Sequence, residues 1–111
     1  MTASYRAFIE IKEKFNLVQH AVIGDWTSWT FPDAINAKGF VVEYKLGLRF
    51  AEKCVYDSKN DYIKFVGIVP IEPSNFDDKI KSLREMFDKA SIKMKHYRME
   101  KRIEKIEGDF E

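Results

Sequence analysis

Apolar residues recur along this chain with two different periods, and the changes of period divide it into elements. Over residues 4–23, Phe8, Ile11, Phe15, Val18 and Val22 step by three and four, which makes one stripe of an amphipathic helix. Gly24 stands where such a helix takes a left-handed stop. Ala7, Ile9 and Ile11 also alternate, so a short strand competes with the helix there. Residues 25–39, DWTSWTFPDAINAKG, keep no period and read as a loop with both indoles packed beneath it.

Residues 40–50 alternate strictly. Phe40, Val42, Tyr44, Leu46, Leu48 and Phe50 take one face, and Val41, Glu43, Lys45, Gly47 and Arg49 the other, the pattern of a half-buried strand with Gly47 as a bulge. Lys53, Cys54, Val55 and Tyr56 resume the strand pattern, DSKND at 57–61 is a turn cluster, and YIKFVGIV returns as a second hairpin strand that Pro70 and Pro73 end. Ser74 then stands as N-cap, with Asp77 and Asp78 in the first turn. Ile80, Leu83, Phe87, Ala90, Met94 and Tyr97 carry a helical stripe onward, and no Gly or Pro interrupts before Gly108. A helix over 75–106 is about 48 Å long at about 1.5 Å per residue. That exceeds the width of a small domain, so its far end projects, folds back or meets a partner. The pattern predicts an α+β protein: an N-terminal helix, an antiparallel sheet of three to four strands and a long C-terminal helix.

Length and composition narrow the class. With 111 residues, 45% hydrophobic and 33% charged, the chain reads as a single domain over 1–111 with its own core. A net charge of +1 supplies no global field for nucleic acid. Cys54 is the sole cysteine, which excludes an internal disulfide and a Cys-rich zinc site. No apolar run of about 18 residues and no signal-peptide pattern is present, so the expected address is the cytoplasm, without membrane contact.

Three constellations bear on chemistry. Pro32-Asp33 followed by Glu43 and Lys45 outlines a metal-dependent nuclease core, in which Asp33 and Glu43 hold a divalent ion and Lys45 steadies the attacking water. An ordinary turn followed by the solvated face of a strand produces the same letters. Lys95, Arg98 and Arg102 share a helical face that can follow a phosphate backbone, or serve as a solvated flank. Phe87, Met94 and Tyr97 continue a heptad-like seam, and with Lys93, Arg98 and Lys101 around them they are candidate anchors for a protein partner or for self-association. His20 and His96 are far apart in sequence, and His20 falls near the predicted end of the first helix. No Gly-rich phosphate loop or nucleophile elbow occurs, and no cofactor is expected.

Over residues 10–70 the order of features resembles HigB-type toxins of the RelE superfamily. DWTSWTFPDA resembles that family's Trp followed by FPxA, FVVEYKLGLRF its long strand, and YDSKNDYIKFVGIV its YIRFVGTHAEYD. The resemblance implies a ribosome-dependent mRNA interferase, with Arg49 matching the strand arginine and Lys64 a basic hairpin position. Ile68-Val69 stand where the family has Thr-His, and its following Tyr falls at or near Phe76, so the groups that activate the ribose hydroxyl are missing. Glu43, Lys45, Arg49 and Lys64 are the candidates should catalysis remain. The leading expectation is a small non-enzymatic regulatory protein that docks on a macromolecule, as a toxin–antitoxin, phage or immunity component does. A diverged interferase acting on RNA at the ribosome comes second, and a metal nuclease using Asp33, Glu43 and Lys45 third.

Overall fold

The computed structural model describes residues 3–45 and 47–109, with side chains for 5–45 and 47–105. The chain runs α1 (Ala3–Lys14), β1 (Val18–Ile23), β2 (Trp26–Thr30), β3 (Val42–Tyr44), β4 (Leu48–Phe50), β5 (Lys53–Asp57), β6 (Tyr62–Val66), β7 (Val69–Pro70) and α2 (Phe76–Asp109). Short 3-10 turns occupy Pro32–Ala34 and Pro73–Asn75. Strands in the order β1-β2-β3-β4-β7 form an antiparallel sheet, and β5 and β6 form a separate two-stranded one. The expected α+β architecture stands, with more and shorter strands than the apolar pattern announced.

The first helix ends nine residues earlier than its stripe suggests. Asn16 takes φ +54 and provides the left-handed stop. The Leu17 N–H donates to the Lys12 carbonyl at 2.9 Å and the Asn16 N–H to that of Glu13 at 3.4 Å, which closes the last turn as a Schellman motif. Val18 and Val22 therefore lie on β1, where β-branched residues pack without rotamer cost. Gly24 serves the β1–β2 hairpin instead. It takes φ +61 in a two-residue turn closed by the Ile23–Trp26 pair, and hairpin turns of that length need positive φ. His20 is the extra residue of a bulge between the Gln19–Trp29 and Ala21–Ser28 pairs.

Residues 26–30 are strand β2, not loop, and so the two indoles point to opposite faces of the sheet. Trp29 packs edge-on against Phe8 of α1 at 5.4 Å. The alternating run 40–50 is a hairpin, not one strand. It turns at Lys45–Gly47, with Val42 opposite Phe50, Glu43 opposite Arg49 and Tyr44 opposite Leu48. A three-residue loop preserves parity, so Val42, Tyr44, Leu48 and Phe50 still share the face covered by helices. Gly47 belongs to this turn and marks no bulge. Leu46, assigned to the same face by its alternation, lies outside the described residues. Val41, expected on the other face, is fully buried, and its backbone bonds Trp29 and Ala51.

Phe31 is the hub of the core. Its ring lies 6.5 Å from Phe15, 6.3 Å from Phe65 and 6.3 Å from Phe87, joining the loop after α1, β6 and α2. Burying such a ring contributes about 3 kcal/mol. Gly39, at φ +83, lets the backbone run against β6: a Cβ there would sit 2.5 Å from the Phe65 carbonyl oxygen. Ser74 falls inside the 3-10 turn Pro73–Asn75, not at a cap, and α2 opens at Phe76 with Asp77 and Asp78 in its first turn. Asp77 accepts from Lys14 at 2.8 Å and so ties α2 to α1. The molecule measures 66 × 27 × 21 Å, and its long dimension belongs to α2, which projects beyond the sheets. Among the described residues no helix is long and apolar enough to cross a membrane.

Candidate functional site

The nuclease triad is divided among separate partners. Both Asp33 carboxylate oxygens accept from Arg84 at 2.6 Å, and Arg84 also reaches Asp88 at 2.9 Å. That hydrogen bonding holds the Asp33 carboxyl below the usual carboxylate range. Glu43 is buried beneath Arg49 in the adjacent strand, with Oε1 2.5 Å from Nη2. The Arg49 guanidinium in turn lies 3.8 Å over the Trp26 ring. Lys45 pairs with Asp25 at 3.6 Å across the neighbouring hairpin ends. Lys64 sits on the other sheet against Asp57 at 3.7 Å. Three of the four catalytic candidates thus gather around Trp26, a residue the sequence assigned only to a loop. The ion pair between the buried Glu43 carboxylate and the Arg49 guanidinium joins β3 to β4. Among the described residues no group of three or more His, Cys, Asp or Glu could hold a metal ion.

On α2, the candidate partner anchors turn inward. Phe87 is buried and stacked on Phe65 at 6.1 Å, Met94 packs against the same core, and Tyr97 covers Tyr56 at 6.0 Å. The heptad-like seam ending in Tyr97 is therefore the helix's own contact with its sheets. Arg98 is likewise engaged. Its Nε donates to both oxygens of Asp61 at 3.0 Å, and Asp61 also accepts from the Tyr56 hydroxyl at 2.6 Å. Tyr56 and then Arg98 hold the Asp61 carboxyl low, while desolvation and the Asp61 bond push the Tyr56 phenol up to about 12. This clamp fixes the β5–β6 tip to the helix. Of the predicted basic ridge, Lys95 and Arg102 are left without an ion pair among the described residues. Lys95 borders a groove of about 560 Å3 floored by Ala34, Ile63 and Phe87.

The opposite side of α2 carries a second apolar row. Ile92, Met99 and Ile103 are 53%, 60% and 48% exposed, and with His96 they follow a four-three-four spacing. Met99 stands nine residues from buried Ala90, about two and a half turns, and so faces away from the core, while Ile92 at the near end of the row also borders the groove. The sequence contains this signal as a second heptad repeat out of phase with the first, but the stronger inward stripe masks it. No protein-family model, no curated protein and no solved structure matches this chain.

Proposed function

We propose that this is a non-enzymatic docking protein, in which the α/β body holds one end of a long helix and presents the other to a protein partner. The observation that carries this reading is the row Ile92, Met99 and Ile103, exposed along the side of α2 that the core does not use. Surface leucines, isoleucines and methionines are ordinary when scattered. A row at helical spacing on a projecting element is the form of a helix-to-helix contact. The body supplies what such a contact needs, since a helix already nucleated and clamped by Phe87, Tyr97 and Arg98 loses little entropy on docking. The catalytic alternatives find less support, because Asp33, Glu43, Arg49 and Lys64 each face an opposite charge.

A photoreactive phenylalanine analogue placed at Met99 tests the reading in living cells. It should form covalent protein adducts on illumination, and the same group at Lys101, on the core-facing side of the helix, should form few. Equal yields at the two positions, or none at Met99, overturn it.

A further inference from the structure

The charges beside the exposed row identify what covers it. With Ile92 and Met99 at heptad position d, His96 and Ile103 fall at position a. The flanking g positions are Lys95 and Arg102, and Glu100 and Glu107 hold the e positions that follow them. In a parallel pair of identical helices, each g residue meets the e residue five places further along the other strand. Lys95 then faces Glu100 of the second copy, and the symmetry of the pair repeats that contact, so opposite charges meet on both flanks. An antiparallel pair instead sets g against g, and Lys95 and Arg102 repel.

Geometry favours the same arrangement. Phe87, Ala90 and Met94 bind the body on one side of α2, and the row occupies the other. Two copies joined along the row would therefore carry their bodies on opposite outer flanks. The apolar row also begins at Ile92, close to where the inward stripe ends at Tyr97. Towards the N-terminus the same outer positions are Glu85 and Lys89, both exposed and charged, which stops the pairing from running into the body. We infer that the occupant is a second copy of this chain, paired in parallel as a short coiled coil through Ile92, His96, Met99 and Ile103. This rests on the docking reading above and names its partner. His96 is the polar layer of the seam, and one polar a position fixes register and strand number at a cost in affinity.

Purified protein carrying Ile92→Cys or Met99→Cys tests this directly under mild oxidation, with Lys101→Cys as control. The native Cys54 is buried, its thiol pushed up to about 12 by that burial, so it contributes no background. A parallel, in-register pair crosslinks at both 92 and 99 and not at 101. An antiparallel pair brings identical positions together only at its centre, so crosslinking at one of the two alone refutes the parallel arrangement. Crosslinking at neither refutes self-pairing, while adducts at Met99 in cells would still uphold docking on another protein. Two further variants read out gains, which misfolding cannot imitate. His96→Ile should tighten the dimer by about tenfold, since it replaces the polar layer. Lys95→Glu should weaken it and Lys95→Glu with Glu100→Lys should restore it; failure of the double variant to recover association overturns the charge register.

Discussion

Ala90 and Met99 lie on one uninterrupted helix, two and a half turns apart, and are 4% and 60% exposed. The first closes the core and the second stands in solvent between His96 and Ile103 of the outer row. Substitutions on the two sides of α2 should therefore separate stability from association. Met99→Ala should leave the melting of the body almost unchanged, whereas Ala90→Glu should unfold it, because an unpaired carboxylate is costly to keep charged in the buried core cluster. Chemical denaturation of dilute samples followed by tryptophan fluorescence reads both effects.

The face assignment of the β3–β4 hairpin is tested at Leu48, which is buried in the core. Leu48→Ala should cost about 2–5 kcal/mol in urea unfolding. A cost below about 0.5 kcal/mol is what a surface position gives and would invert the register.

Glu43 and Arg49 should respond unequally. The Glu43 side chain is 8% exposed and that of Arg49 40%. Removing the guanidinium strands a buried carboxylate, so Arg49→Met should cost about 3 kcal/mol. Glu43→Gln leaves a guanidinium that water already reaches and should cost less than half as much. Equal losses would show that water reaches the carboxylate as well. Neither variant should alter nuclease assays with magnesium or manganese.

The Tyr56–Asp61–Arg98 clamp makes the hairpin tip sensitive to acid. The folded Asp61 carboxyl lies below its ordinary value of 3.8, so its contribution is present above that value and fades as pH falls through the lower folded one. Hydrogen exchange at residues 57–61 should accelerate in that acid range, and Asp61→Asn should abolish the acceleration. At the alkaline end, Tyr56 should ionise near 12, and in the Asp61→Asn variant it should ionise earlier.

Gly39 should tolerate no side chain. Its positive φ and the 2.5 Å approach of the Phe65 carbonyl oxygen to a Cβ oppose Gly39→Ala together. A loss of about 1–3 kcal/mol is expected from strain of this kind, measured by thermal unfolding. Gly24→Ala, at similar φ but with open space around it, should cost less.

Much of this fold is legible from apolar spacing, and the failures have physical causes. The α2 stripe from Phe76 to Tyr97 dictates a long helix, because nothing between Phe76 and Gly108 breaks it. Period two in residues 40–50 is blind to a turn of three residues, since that loop returns every side chain to its own face. Val18 and Val22 fit helical and extended spacing equally well, and only the left-handed Asn16 decides between them. The candidate site was harder to read. Glu43 and Arg49 look like a solvated strand face until the hairpin folds one onto the other beneath Trp26. Phe87, Met94 and Tyr97 look like a docking seam until β5 and β6 cover them, and the row at Ile92, Met99 and Ile103 emerges only after that face is taken.

Sedimentation velocity across a wide concentration range, on the intact chain and on Met99→Glu with Ile103→Glu, separates pairing through the outer row of α2 from a monomer. The intact protein should form a concentration-dependent species of about twice the 13.1 kDa chain mass. The double variant should remain monomeric with an unchanged near-ultraviolet circular dichroism spectrum. Identical sedimentation of the two proteins at every concentration would contradict it.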